Sequence, residues 1–427
     1  MHLELGHIYV KDVKLGDKTE FKNGTVYINK AGLLDYIQDE RLIKVDIDIV
    51  KPGDSVRICP VKDVIEPRVK ISGSGHVFPG YFGNVEMVGT GVTHVLKGMT
   101  VLTVGNIVGF QEGIIDMTGP GALYTPFAQT INVVILADKA PGLKQHEHED
   151  ALRHLGLKAA KYIAEAAREV KPDEVKIYGA KSFAQGLQEF PHLPKVAYVY
   201  MLQSQGLMHD TYLYGVDVKK ILPTLLYPTE VMDGAIISGN CVSACDKNTT
   251  YHHQNNPIIE DLWARHGQDY NFIGVVVTNE NVTLMDKERS SNYTAKLVKG
   301  LGVDGVIISE EGFGNPDADL IMNCRKLEAA GIKTVLVTDE YAGRDGASQS
   351  LADGDKAADA VISGGNANEI IVLPKLNRVI GYVGAVNVIA GGFAESLADD
   401  GSITVEIQAI TGATNELGFN KMGAIGL

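Results

Sequence analysis

Three apolar runs near the end of the chain decide the fold: Phe272-Ile273-Gly274-Val275-Val276-Val277-Thr278, Gly305-Val306-Ile307-Ile308-Ser309 and Thr334-Val335-Leu336-Val337-Thr338. Each is short, rich in β-branched residues and apolar on consecutive positions, as a strand covered on both faces must be. Between them lie helix-like segments at about Glu288 to Gly300 and Ala318 to Ala330, the second stopped by Gly331. Apolar strands alternating with amphipathic helices predict a doubly wound parallel sheet. Each run ends in a hydroxyl residue followed by acids or amides: Thr278-Asn279-Glu280, Ser309-Glu310-Glu311 and Thr338-Asp339-Glu340. Ligands in such sheets bind at the carboxyl ends of the strands, so these ends are expected to converge on one crevice. Glu280, Glu310 and Asp339 are therefore candidates for binding a cationic amine or a partner. Taken singly, each is more simply a solvated loop end.

Working back along the chain, His146 to Val170 has helical spacing, with Leu152, Leu155, Ala159, Ile163 and Ala167 on one face. Strands follow at Glu174 to Tyr178 and Val196 to Met201. The first 135 or so residues favour strands and turns, among them Val26 to Ile28, Lys44 to Val50, Ser55 to Ile58 and Val101 to Val108. The fold class is thus mixed α/β. Three regions are expected: a strand-rich domain over 1–145, an α/β segment over 146–240, and a parallel α/β domain over 241–427.

The chain has 427 residues, 45% of them hydrophobic and 22% charged, which suits a globular protein of two or three domains. A formal net charge of −14 with no basic block argues against a nucleic-acid or anionic-membrane partner. No apolar run approaches the length of a membrane span and the start MHLELGHIYVKD lacks a signal-peptide layout, so a cytoplasmic protein is expected. Four cysteines, at 59, 241, 245 and 324, do not make a disulfide framework. Cys59 and Cys324 sit in strand-like and helix-like surroundings and read as small core residues.

Cys241 is different. It follows the apolar run Gly234 to Ile237 in Gly239-Asn240-Cys241-Val242 and opens a polar stretch that carries Thr249, Thr250, His252 and His253. A thiol after a turn-prone Gly-Asn pair can attack the preceding carbonyl and convert the amide into a thioester. Elimination of the sulfur then gives dehydroalanine, and hydrolysis gives a pyruvoyl group, an electrophile that captures amines. The hydroxyls and imidazoles of 249–253 are suited to moving protons during such chemistry. A solvated loop with a free thiol is the simpler alternative. Zinc on Cys241, Cys245, His252 and His253 departs from common ligand spacing, and His146, His148 and His154 read as a solvated helix start, so no metal is expected. The Gly-rich stretch from Ser72 to Gly83 lacks nucleotide-motif spacing and reads as a turn-rich loop.

The segment IISGNCVSACDKNTTYHHQNNPIIEDLWARHG, residues 236–267, resembles the proprotein of the substrate-specific protein B of the Stickland-type amino-acid reductases, which act on glycine, sarcosine and betaine. The resemblance extends along essentially the whole chain. It implies autocatalytic cleavage of a zymogen between Asn240 and Cys241, with Cys241 becoming the pyruvoyl cofactor of the smaller subunit. It also implies an oxidoreductase role in amino-acid catabolism, in which the substrate amine is held as a Schiff base and reductively deaminated, with release of acetyl phosphate. The implied partners are a selenocysteine-containing subunit of protein B, the small selenoprotein A and the acetyl-phosphate-forming protein C. Two other readings stay open: the pyruvoyl component of D-proline reductase, and an uncleaved, non-catalytic scaffold subunit. The amine itself is not legible in the sequence.

Overall fold

The computed structural model describes residues 1–82, 84–206, 208, 211–239, 248–312, 314–341, 351, 353–365, 367–417 and 425–426. Asn240, Cys241 and Cys245 lie outside the described residues.

The expected parallel sheet is present and larger than the sequence suggested. Its order is Thr224–Leu226, Asn271–Asn279, Lys195–Leu202, Gly305–Glu310, Lys333–Tyr341, Val361–Gly365 and Ile425–Gly426, with antiparallel pairing only at the two edges. The strand Asn271–Asn279 is buried at every position, which explains its uninterrupted apolar sequence. The helix Leu284–Leu301 starts at Thr283, whose hydroxyl accepts from the Asp286 N–H at 3.2 Å, and stops at Gly302 with φ +62°. The helix Asp317–Glu328 packs beside it against Ala197, Val199, Met201 and Ile308.

Lys195–Leu202 comes first in the chain among the parallel strands but third in space. The next strand, Asn271–Asn279, lies on one side of it and Gly305–Glu310 on the other. This reversal is the topological switch point at which doubly wound sheets open their crevice. The 240/241 junction lies in the crossover from the first of these strands to the second.

The strand-rich half is also mixed. A six-stranded sheet joins Gly113–Asp116, Val56–Ile65, Met99–Gly105, Ile131–Lys139 and Leu42–Val50, and the late strand Arg378–Gly381 adds to the edge of Val56–Ile65 in parallel. The helix Gln145–Ala164 begins where the Glu147 side chain accepts from the Lys144 N–H at 2.9 Å. It buries Leu152, Leu155, Ala159 and Ile163 against this sheet. Gly156 permits the close approach, since a Cβ there would lie 2.6 Å from the Thr103 methyl. The strand Glu174–Gly179 pairs antiparallel with His2–Tyr9 in a separate four-stranded sheet. The regions marked off at 145/146 and 240/241 therefore exchange strands: 195–202 and 224–226 flank 271–279, and 378–381 returns to 56–59. His148, expected on a solvated helix start, is buried, and burial together with the Lys62 charge brings its pKa down to about 4. Cys59 and Cys324 are buried thiols, as expected of core residues.

Candidate active site at the sheet switch point

The chain enters the junction at the end of the strand Ile236–Ser238 and leaves it at the helix Thr250–Gln254. Both flanks are buried: Ser238, Gly239, Asn248, Thr249 and Thr250. The alternative of a solvated loop fails for these described residues. The flanks are joined directly, because the Ser238 N–H donates to Thr250 Oγ1 at 3.0 Å. Thr250 in turn donates from its N–H and its hydroxyl to the two oxygens of Asp63, at 2.8 and 2.7 Å. Burial lifts the Asp63 carboxyl to about 7, against the pull of those two bonds. The amide of Gln254 completes the docking, accepting from the Glu66 N–H at 3.0 Å and donating to its carbonyl at 3.1 Å.

The adjacent histidines face different surroundings, since neighbouring helix positions project in different directions. His252 Nδ1 lies 3.0 Å from the Thr249 N–H and 2.9 Å from its hydroxyl, so it accepts and closes a capping box. Burial, then the neighbouring His253, pull His252 down to about 3, so it is neutral at pH 7. His253 instead spans two groups: its Nδ1 is 2.7 Å from the Tyr200 hydroxyl and its Nε2 is 3.3 Å from Glu311 Oε1, with His253 and Glu311 fully buried. Tyr200 stacks on Tyr198, whose hydroxyl meets Ser309 Oγ at 2.5 Å. Burial raises both tyrosines well above their ordinary value, so they act as hydrogen-bonding hydroxyls. Tyr200 and Glu311 thus flank the His253 imidazole on opposite ring nitrogens, Tyr200 within hydrogen-bond distance and Glu311 at ion-pair distance, between the central strand and the helix after the junction.

The acidic strand ends are not solvated either: Glu280, Glu310 and Asp339 are all fully buried. Alternation along Gly305–Glu310 divides them. Ser309 and Glu311 point to the junction face, whereas Glu310 shares the opposite face with Ile308, near Asp317 and Thr338. Glu311 Oε2 accepts from the Gln203 N–H at 2.8 Å and from the Thr211 hydroxyl at 3.0 Å. Glu280 stands beside the central strand, its N–H donating to the Leu202 carbonyl at 3.2 Å. Glu416, from the far end of the chain, accepts both bonds of the Asn248 amide at 2.9 and 3.0 Å. Burial raises Glu280 well above the usual carboxylate range, and the charges of Glu311, Asp319 and Glu416 add to it.

Tyr200, Glu311, Glu416, Asn248 and Asp63 were not picked out from the sequence. Only Glu311 carried a local signal, as the neighbour of Glu310 in an alternating strand end. Among the described residues no group of three His, Cys, Asp or Glu side chains is placed to hold a metal ion, and no helix is long and apolar enough to cross a membrane.

Fold and site together define an α/β protein built on a doubly wound sheet whose switch point buries an imidazole between a phenol and a carboxylate, beside an acidic cluster. The family of glycine/sarcosine/betaine reductase component B subunits matches residues 1–425, and the chain belongs to it. It is 66% identical over 427 residues to the glycine reductase complex component B subunits alpha and beta of Acetoanaerobium sticklandii, covering 99% of each chain. It is 61% identical over 427 residues, 100% of each chain, to the protein of the same description from Peptoclostridium acidaminophilum. A D-proline reductase proprotein from Acetoanaerobium sticklandii is more distant, 24% identical over 359 residues, 78% of this chain and 54% of that one. No solved structure matches the chain.

Proposed function

We propose that this chain is the precursor of a pyruvoyl-containing component B of a glycine reductase. In this reading it is cut between Asn240 and Cys241, and residue 241 becomes the pyruvoyl group of the smaller piece. What carries the reading is identity of 66% and 61% along the whole chain to proteins whose single sequence is described as two subunits, alpha and beta.

The described surroundings of the junction fit such a group. The flanks are shielded from water, the Ser238 hydroxyl is buried without a hydrogen-bond partner among the described residues, and proton-carrying side chains stand close by. A pyruvoyl group supplies a ketone carbonyl that takes up an amine and draws electrons from the neighbouring carbon. The chain's own residues do the rest. Asp63 and Thr250 fix the helix that carries the histidines; His252, neutral, caps that helix; His253 holds or moves a proton, its Nδ1 facing the Tyr200 hydroxyl and its Nε2 facing Glu311. The acidic strand ends Glu280, Glu310 and Asp339 gather buried carboxyl groups, and those of Glu280 and Glu310, raised by burial and by neighbouring carboxylates, ionise only against an arriving cation such as a small amine. The chain contains no selenocysteine. The nucleophile and the reductant therefore come from partners: a selenocysteine-containing subunit, the small selenoprotein A and the acetyl-phosphate-forming protein C. We place the complex in the cytoplasm.

The test is the intact mass of the protein purified from its native host. Two pieces are expected, the smaller beginning with a pyruvoyl group in place of Cys241. Cys241→Ala should abolish both processing and activity, while Cys241→Ser should permit slow processing through an ester. A single intact chain with an unmodified thiol would overturn the reading.

A further inference from the structure

We propose that Glu280, backed by Glu311 and Glu416, binds the substrate nitrogen and restricts the site to small amines that carry at least one N–H, excluding quaternary ammonium. The inference rests on the pyruvoyl reading for its place in the reaction, and on the geometry of Glu280 for its content.

Neither carboxylate oxygen of Glu280 has a hydrogen-bond partner among the described residues, and the side chain is fully buried. Its backbone is pinned on both sides, to the Leu202 carbonyl by its N–H and to the Ser204 hydroxyl by its carbonyl. The carboxylate is therefore not a strand end that swings into water. The charges that act on it are Glu311, Asp319, Glu416 and Glu310, and the cation among them, Lys287, is engaged elsewhere. Its ammonium lies 2.5 Å from Asp319 Oδ2 and 2.9 Å from the Asn315 carbonyl. Native proteins rarely keep a buried carboxylate without donors unless a ligand or a function supplies them.

Glu311 and Glu416 tie this group to the junction. Glu311 touches His253, and Glu416 holds Asn248 at the junction's downstream flank. What Glu280 lacks is a positive charge together with hydrogen-bond donors. A primary or secondary ammonium supplies both; a trimethylated one supplies charge alone and leaves the oxygens unpaired. Quaternary ammonium groups are instead held over aromatic faces. Tyr198 and Tyr200, stacked on each other with ring centroids 5.1 Å apart, present their hydroxyls to Ser309 and His253 and build no such cage.

The test is a calorimetric titration of the whole protein after borohydride has reduced the carbonyl, so that no covalent capture contributes. Glycine, sarcosine and betaine are the probes, with wild type and Glu280→Gln side by side. Wild type should bind glycine and sarcosine at least tenfold more tightly than betaine. Glu280→Gln should lose at least tenfold for glycine, change less than twofold for betaine, and unfold at a temperature no lower than wild type. A purely structural glutamate would lower the unfolding temperature and affect all ligands alike, which overturns the proposal, as does glycine affinity within twofold of wild type. If Glu280→Gln loses its cooperative unfolding transition, the glycine-to-betaine ratio of reduced wild type decides alone. If borohydride adds no mass to the smaller piece while the amine discrimination persists, the pyruvoyl reading falls and the assignment of Glu280 stands.

Discussion

The two halves of this molecule bury charge in opposite ways. In the strand-rich half the buried ions Arg57, Lys62 and Glu66 each have a close partner of opposite charge: Arg57 grips Asp116 with two bonds of 2.7 and 2.8 Å, Lys62 meets Glu112 at 2.7 Å, and Glu66 lies 2.6 Å from Arg68 and 2.8 Å from Lys97. In the parallel sheet, Glu280 and Glu310 are as deeply buried but surrounded by other acids. The same residue type is driven in opposite directions. Burial works upward on Glu66 and Glu112, but the adjoining cations and donors outweigh it and hold both at about 2. Burial works upward on Glu280 and Glu310 as well, and the neighbouring carboxylates add to it. Satisfied pairs of this kind are scaffold; an unsatisfied acidic cluster at a sheet switch point marks a place where a cation is expected.

That contrast can be broken most decisively by Lys62→Met, which leaves Glu112 buried without its cation. It should cost about 3–5 kcal/mol in urea unfolding at pH 7, as for other broken buried pairs. Destabilisation of similar size by Glu280→Gln would erase the distinction between the halves.

The pH dependence of stability sharpens it. Glu66 and Glu112 have folded values of about 2 against an ordinary 4.5. Their contribution is complete above pH 4.5 and is lost as pH falls from there toward 2, about 3 kcal/mol for each. Glu280 and Glu310 are raised, so the folded state keeps protons that the unfolded chain releases, and stability falls as pH climbs above 4.5. Urea midpoints at pH 3, 5 and 8 should show that Lys62→Met flattens the acid limb and Glu280→Gln the alkaline limb. The smallest effect is expected where neither logic applies. The Arg265–Asp269 pair spans 2.7 Å, but its side chains are 66% and 50% exposed, and Arg265→Ala should cost less than about 1 kcal/mol in the same assay.

Much of the fold was legible because the signals are local. The run Asn271–Asn279 has to be buried on both faces, and the helices Leu284–Leu301 and Asp317–Glu328 carry their periodicity and their stops in their own sequence. The strand Lys195–Leu202 was legible as a strand but not as the centre of the sheet. Its place is set by the crossovers on either side, which no window of sequence contains. The site divides along the same line. His252 and His253 could be named from their position after Cys241, yet nothing local says that one caps a helix while the other bridges Tyr200 and Glu311. Asp63 meets Thr250 from 187 positions away and Glu416 meets Asn248 from 168. Such contacts leave no periodic trace.

By itself the sequence determined the mixed α/β class and the regular elements of the parallel sheet, because side-chain periodicity is a property of neighbouring residues. Only the tertiary structure decided that Glu311 rather than Glu310 faces the junction, that Asp63 clamps the helix beyond it, and that Glu280 is buried without a donor. Those outcomes depend on strand alternation, on crossover topology and on which distant segments exclude water together. A single translated chain can specify them only once it has folded.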